Sequence, residues 1–508
     1  MESADLLRGQ SLIGRWPSLA TGVSRDSRRV RRGAIYIACG TPAERPAHVV
    51  QASAAGAAAI LAETPCAGAD ALVPHARWAF ARASAAAYRL DQGRGKSGRG
   101  EPQLALEHLG NARPSPGELG LASPRIPLLG VTGTKGKTTT CWCAWWAASH
   151  QDQRAASPSD RRAARIGTIG WFDGVSERPN PQTTPPPEEL HDFLAALDPR
   201  TPAVAVEVSS HGCDQHRLAG LQFAGLAYTG LGHDHLDYHR TAGSYLAAKL
   251  RAFRWLVPGG SAIINADDAH AAAAGHAARC AGTRIIGLGL RHGCHRLEPD
   301  GSAWFLRVPG ARLALPVLLP GAFNAWNTAA GALLAQAAGI DLATALDRLR
   351  SLPAPPGRME LLARSPATYV DYAHTPESIA LAIAALRSAH GGARIAIVFG
   401  CGGDRDPSKR APMGAAAAAA DLAIVTTDNS RSEDPAAIAA EVVAGIAGTI
   451  PHEVVLDRGA AIRRARERIG SGGAVLVAGK GHETSQIIGK TTLPWDDRSF
   501  VRSLEGRP

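Results

Sequence analysis

Between Ile126 and Thr140 an apolar run leads into Gly130-Val131-Thr132-Gly133-Thr134-Lys135-Gly136-Lys137-Thr138-Thr139-Thr140, and no other stretch so constrains the fold. Ile126–Leu129 predicts a buried strand, and the spacing of Cys141, Trp142, Ala144, Trp145 and Ala147 predicts a helix after Lys137. A glycine-rich turn ending in Gly-Lys-Thr between such elements aims backbone N–H groups at phosphate oxygens. Lys137 adds a point charge there and Thr138 a hydroxyl placed for Mg2+. Val131 stands where the strict spacing would put the first glycine, so the pattern is a variant one. The expectation is an α/β chain that uses ATP.

At 508 residues the chain has room for three domains, each able to bury a core. No window approaches twenty uninterrupted apolar residues and no signal-peptide pattern opens the sequence, so a soluble, cytoplasmic protein without a membrane partner is expected. Cysteines at 39, 66, 141, 143, 213, 280, 294 and 401 form no C-x-x-C pair, which argues against a zinc site or a disulfide framework. The net charge of +10 is dispersed, with one basic cluster at Arg25–Arg32 that lacks interleaved aromatics. That favours an anionic small substrate over nucleic acid.

Residues 91–125, rich in Gly, Pro, Ser and charge, read as an irregular loop. Upstream, Ala34–Ala38 and Ala58–Leu61 predict short strands of a small α/β domain. Downstream, runs at Ala203–Val208, Leu226–Thr229 and Ala262–Ile264 alternate with helical segments, as a sheet carrying a phosphate loop requires. Pro353-Ala354-Pro355-Pro356-Gly357 punctuates the chain again. Five more runs follow, at Thr368–Val370, Ile395–Phe399, Leu422–Thr426, Val454–Leu456 and Val475–Ala478, and predict a separate doubly wound domain. The expected domains are 1–125, 126–352 and 353–508.

Polar clusters sit at the C-terminal ends of these strands, where open α/β sheets place ligands. Glu207-Val208-Ser209-Ser210-His211 puts a carboxylate beside the phosphate loop, suited to a metal. His233-Asp234-His235-Leu236-Asp237-Tyr238-His239 has the density of a zinc site, although oxygen ligands and Mg2+ suit the adjoining loop better. Lys249 lies on a predicted helix ten residues later and by itself signifies little.

These segments together resemble one family across nearly the whole chain, the Mur ligases, and among them the UDP-N-acetylmuramoyl-tripeptide synthetases. The resemblance rests on 130–140, Thr183-Thr184-Pro185, Glu207–His211, Asp234–His239, Asn265-Ala266-Asp267-Asp268 and Gly321–Asn327. It continues through Pro356-Gly357-Arg358-Met359-Glu360, Asp371-Tyr372-Ala373-His374-Thr375-Pro376, Phe399–Asp406 and Ala478-Gly479-Lys480-Gly481-His482-Glu483. It implies a three-domain α/β architecture: a UDP-binding N-terminal domain, a central P-loop ATPase domain and a C-terminal Rossmann-like domain. The implied reaction activates a carboxylate as an acyl phosphate at the expense of ATP, and the amine of an incoming amino acid then attacks it.

Carried over residue by residue, the resemblance implies that Gly133, Thr134, Lys135, Gly136, Lys137, Thr138 and Thr139 bind ATP, with Asn324, Asn327, Arg358 and Asp371 around the nucleotide. It makes Lys137, Glu207, His235 and Lys249 catalytic, Lys249 as a carbamate, and Thr138, Glu207, His235 and Lys249 the Mg2+ set. Ser24, Thr183, Thr184, Ser210, Gln215 and Arg217 match positions that hold the UDP-N-acetylmuramoyl-dipeptide. Arg405, Asp428, Asn429, Arg431, Gly479 and Glu483 match those that bind meso-diaminopimelate, with Arg431 suited to the distal carboxylate and Glu483 to the distal ammonium. A monomer is expected. Departures from the family pattern are Ser430 for the usual proline, Lys135 for asparagine, Gly230 within Thr229-Gly230-Leu231, and a 40–48 segment without Asp-Gly-His. They leave room for a divergent ligase that joins a different acid and amino acid. A nucleotide-binding partner without turnover is disfavoured, because it would have no use for Lys137, Glu207, His235 and Lys249 together.

Overall fold

The computed structural model describes residues 23–32, 34–38, 44–57, 59–62, 71–72, 126–149, 162–179, 182–232, 234–446 and 448–505. The predicted loop at 91–125, residues 40–43 of the altered N-terminal segment, His233, Cys39 and Cys66 lie outside them. Two compact units divide the chain: residues 1–296 with 330–345, and residues 297–329 with 346–508.

In the first unit, β1 (Val23–Ser24), β2 (Ile35–Ala38), β3 (Ala59–Ala62) and β4 (Ala71–Leu72) pair in parallel in that order. The amphipathic helix α1 (Arg45–Ala54) packs Val49 and Ala52 against Tyr36, Ala38, Ile60 and Ala62. Its first turn carries the described part of the 40–48 segment.

The larger sheet of this unit is built from β5 (Leu128–Thr132), β6 (Ala164–Gly167), β7 (Gly170–Phe172), β8 (Glu177–Arg178), β9 (Val204–Glu207), β10 (Phe223–Tyr228), β11 (Leu256–Asn265) and β12 (Arg284–Gly289), in the order β12-β11-β10-β5-β9-β6-β7-β8. From β12 to β6 the pairing is parallel, and both β5 and β9 are buried along their whole length. Strands covered on both faces read as continuous apolar runs, so they were visible in the sequence. One face packs Leu128, Val204, Val206, Leu226 and Ile264 with Leu190, Phe193 and Leu194 of α3 (Pro187–Ala196). The phosphate-loop helix is α2 (Lys137–Ala148).

In this sheet two strands extend beyond their apolar runs. β5 extends to Thr132 because Gly130, Val131 and Thr132 pair with β9 or β10, which makes Val131 a buried ladder residue. β11 begins at Leu256, six residues before its apolar run, and its Pro258-Gly259-Gly260 looks like a turn in sequence. The register irregularity between Phe223 and Gly225 accommodates those residues.

After β13 (His295–Asp300), β14 (Ala303–Val308) and β15 (Ala311–Leu315) of the second unit form a hairpin. A six-stranded sheet follows, built from β16 (Glu360–Arg364), β17 (Ala367–Asp371), β18 (Ile395–Phe399), β19 (Leu422–Val425), β20 (His452–Val454) and β21 (Ala474–Ala478). Their order is β16-β17-β21-β18-β19-β20, parallel except for β16. Alternate residues of the central strands separate into two cores. Ile395, Ile397, Phe399, Ala423, Val425 and Leu476 face one side, and Ala396, Val398, Leu422, Ile424, Val475 and Val477 the other. Helices on both faces make the unit doubly wound, as the five runs predict. Its edge strand β20 ends at Val454 instead of continuing to Leu456. There Val454 and Leu456 are exposed, as edge positions allow.

Candidate active site

At the C-terminal end of β5 the loop 133–136 carries Lys137 back over itself, its ammonium donating to the Gly133 and Thr134 carbonyls at 3.0 Å each. The Thr138 hydroxyl donates to Glu207 Oε2 at 3.0 Å, joining the first turn of α2 to the end of β9. Glu207 is buried and doubly braced by Thr168, whose N–H reaches Oε1 at 2.8 Å and whose hydroxyl reaches Oε2 at 3.1 Å. Thr139 is buried in the same turn.

Lys249, on α6 (Ala242–Leu250), is 1% exposed and donates to the Gly133 carbonyl at 2.7 Å, with its Nζ 4.4 Å from the Tyr245 ring centroid. Burial, then the neighbouring Lys137 charge, hold its pKa well below the ordinary lysine value. Two lysines thus converge on one loop carbonyl. Thr134 completes the loop's support, its N–H donating to the Gly230 carbonyl at 2.9 Å and its hydroxyl lying 3.2 Å from Tyr245 Oη. Gly230, a departure from the family pattern, has φ +124°, and a Cβ there would lie 2.7 Å from Asp268 Oδ2. Asp268 accepts from the Leu231 N–H at 3.0 Å and from Tyr228 Oη at 3.1 Å, so glycine suits this tightly braced turn.

His235 precedes α5 (Leu236–His239) in the left-handed conformation, with its side chain 44% exposed and Nε2 3.6 Å from Asp234 Oδ2. Its ring lies 5.0 Å from that of His211 and 6.0 Å from that of Tyr245. Burial is the main cause that lowers its pKa, helped by Lys137 and Lys249 and opposed by Asp234. His211 is pushed down to about 4 by burial and by His235, His239 and Arg217, so both rings are neutral near pH 7.

Of the residues matched to the acceptor, Thr183 meets Glu207 through Thr168, hydroxyl to hydroxyl at 3.1 Å. Thr184 donates to the Glu207 carbonyl at 2.7 Å and accepts from the Ser209 N–H at 2.9 Å. Arg217 donates to the Thr184 carbonyl at 2.6 Å and to Gln215 Oε1 at 2.6 Å, making one polar wall of these three residues. Ser210 begins α4 (Ser210–Asp214), and its buried hydroxyl has no partner among the described residues. Ser24 stands apart, bonded within its own turn to Asp26, while the adjacent Arg25 pairs with Glu188 of α3 at 2.9 Å.

In the second unit, Asn324 and Asn327 are buried on the first turns of α7 (Ala322–Ala337), Asn327 Nδ2 donating to Asn324 Oδ1 at 3.1 Å. Asp371 ends β17 and accepts from the Met359 N–H at 2.8 Å. Burial raises its pKa, against the pull of Arg358, whose guanidinium lies 4.4 Å from the Tyr372 ring centroid.

The residues matched to the amino acid gather where β19 and β21 end. Asn429 Nδ2 donates to Glu483 Oε2 at 3.0 Å, and Arg431, at φ +51°, donates through NH1 to the Gly403 carbonyl at 2.7 Å. Asp428 accepts from the Asn429 N–H at 2.6 Å, Gly479 stands opposite Asp428 Oδ2, and Arg405 is exposed. Ser430 is buried, its hydroxyl without a partner among the described residues.

Two residues that the sequence reading passed over are central here. Thr168 follows a parallel strand, β6, and that position was the available signal. Lys480 sits within the quoted Gly-Lys-Gly-His-Glu stretch, yet a lone lysine ordinarily signals a solvated charge. Among the described residues no three His, Cys, Asp or Glu side chains converge as a metal group. The phosphate loop offers instead the Thr138 hydroxyl and Glu207 carboxylate, hard oxygens of the kind that fit Mg2+.

Residues 131–335 match the model of the Mur ligase middle domain, and residues 357–481 that of the Mur ligase glutamate ligase domain. The UDP-N-acetylmuramoyl-L-alanyl-D-glutamate–2,6-diaminopimelate ligase of Alkalilimnicola ehrlichii is 39% identical, over 98% of this chain and 98% of its own. The ligase of the same name from Chlorobaculum tepidum is 37% identical over 96% of this chain and 92% of its own. A solved structure of such a ligase is 30% identical, covers 99% of this chain and 98% of its own, and superposes with a TM-score of 0.65. A MurF structure from Acinetobacter baumannii, 18% identical over 90% of each chain with a TM-score of 0.56, shares the fold.

Proposed function

The chain belongs to the Mur ligase family, and from that premise we propose that it is an ATP-dependent ligase joining meso-2,6-diaminopimelate to UDP-N-acetylmuramoyl-L-alanyl-D-glutamate. The observation that carries the reading is the convergence of Lys137 and Lys249 on the Gly133 carbonyl beside the bonded Thr138–Glu207 pair. Phosphoryl transfer to a carboxylate needs in-line positioning and neutralised charge more than covalent help. The γ-phosphoryl group passes to the acceptor carboxylate and ADP leaves. The amine then attacks the carbonyl carbon, phosphate departs and the nitrogen gives up a proton as the amide forms.

Lys137 would swing from the loop carbonyls to the β- and γ-phosphates, and the loop N–H groups would hold the same oxygens. Bound Mg2+ would neutralise phosphate charge, with Thr138, Glu207, His235 and the Lys249 carbamate as the residues to hold it. Thr183, Thr184, Ser210, Gln215 and Arg217 would orient the acceptor, and Ser24 its uridylyl end. Asn324, Asn327, Arg358 and Asp371 would surround the nucleotide. Arg405, Asp428, Asn429, Arg431, Gly479 and Glu483 would bind the incoming amino acid. The proposed domains remain 1–125, 126–352 and 353–508.

An ADP-release assay with UDP-N-acetylmuramoyl-L-alanyl-D-glutamate and a panel of amino acids tests the reading. Turnover is expected with meso-diaminopimelate well above that with L-lysine. A preference for L-lysine, or turnover only with another acid, would overturn it in favour of a divergent ligase.

A further inference from the structure

Lys480 is fully buried, with its Nζ set between two carboxylates. Burying an ammonium charge is costly unless it is paired. Its Nζ lies 3.1 Å from Glu483 Oε2, 3.1 Å from Asn429 Oδ1 and 3.8 Å from Asp428 Oδ1. Glu483 Oε2 also accepts from Asn429 Nδ2 at 3.0 Å. One oxygen of Glu483 is therefore held by the protein, and Oε1 has no hydrogen-bond partner among the described residues. Asn429 is committed in the same way, because its Oδ1 takes both Lys480 and the Ile487 N–H, the latter at 2.9 Å. Ile487 returns its carbonyl to the Arg431 N–H at 3.1 Å, so the order imposed on Asn429 reaches the arginine's backbone. The turn is anchored from below: Arg458, paired with Asp497 at 2.7 Å, donates to the Ala478 carbonyl at 2.9 Å.

We propose that Lys480 is a positioning residue for the amino-acid pocket, fixing Glu483 so that Oε1 meets the ammonium of the incoming amino acid and fixing Asn429 so that Arg431 keeps its place. The inference rests on the reading that this turn binds the amino acid. In it Lys480 touches no substrate and acts through Glu483 and Asn429. A structural role alone would disturb all substrates or none, whereas this one acts on a single Michaelis constant.

The test uses the full chain with saturating ATP, Mg2+ and acceptor. Lys480→Met should raise KM for meso-diaminopimelate tenfold or more, with KM for ATP and for the acceptor within twofold of wild type. In a double-mutant cycle with Glu483→Gln, the double variant should be little worse than the worse single. An unchanged amino-acid KM, a parallel rise in all three constants, or independent Lys480 and Glu483 effects would overturn the proposal. Should Lys480→Met not fold, a crystal structure of the wild type with the amino acid decides: Lys480 Nζ still on Glu483 Oε2 supports it, and Nζ turned onto the ligand overturns it. Wild-type turnover with a different amino acid defeats the functional reading alone, and the same constants are then read for that substrate. A chain that turns over no amino acid defeats both.

Discussion

The chemistry at single residues turns on how the fold treats its lysines and arginines. Lys249 is buried against another cation, and both circumstances favour its neutral amine over the ammonium. A neutral amine adds CO2 with loss of a proton, and the carbamate so formed would set an anion beside the Lys137 cation. Lys249→Ala should accordingly lose nearly all turnover, with partial recovery on adding formate or acetate. An unmodified lysine in a crystal structure of the ATP complex near neutral pH would refute the carbamate. Arg431 is held by backbone bonds on both sides, with a planar fork suited to a carboxylate that L-lysine does not offer. A charge-assisted hydrogen bond is worth about 1.5–3 kcal/mol, roughly ten- to a hundredfold or more in discrimination. Arg431→Ala should lose most activity with meso-diaminopimelate and leave ATP affinity little changed, as steady-state kinetics and nucleotide titration would show.

Among the elements, the segment before β16 and the turn after β21 are fitted backbone to backbone. Gly357 has φ +63°, and a Cβ there would stand 2.1 Å from the Gly481 carbonyl carbon and 2.4 Å from the His482 nitrogen. Backbone cannot give way as a side chain can. Gly357→Ala should destabilise the second unit by roughly 1–3 kcal/mol, as overpacking does, and raise KM for ATP by spreading Arg358 and Asp371 from the turn. A denaturant midpoint and KM both equal to wild type would show that this approach is not a constraint. The Pro356-Gly357-Arg358-Met359-Glu360 motif was legible in the sequence, but its dependence on a segment more than a hundred residues later was not.

Over the whole molecule, stability should depend on pH through groups held neutral inside. Burial, then Arg358 and Arg498, push His482 down to about 4. A histidine with a lowered folded-state pKa favours the native state above its unfolded value, near 6.5, because below it the unfolded chain gains a proton that the native one refuses. Stability of the second unit should fall as pH drops from about 6.5 to about 4 and level off below for this group. Thermal unfolding at successive pH values should show a shallower acid slope for His482→Gln. Equal slopes in the two proteins would remove His482 from the linkage.

Much of this protein was determined by its sequence alone. Parallel strands buried on both faces leave apolar runs, and a phosphate loop leaves a local spacing, so the α/β class and the loop at 130–140 were readable from short windows. The doubly wound character of the second unit followed from the same signal in five apolar runs, while the strand order and the antiparallel β16 came only from the structure. Positions where a strand contradicts its own composition, such as Pro258-Gly259-Gly260, were hidden, because what makes them strand is a partner far along the chain. Only the tertiary structure decided that Thr168 braces Glu207, that Lys249 shares a carbonyl with Lys137, and that Lys480 is a buried counter-charge. Each depends on burial and on distances between residues remote in sequence, and hydrogen bonding and desolvation act through those distances, not through spacing along the chain.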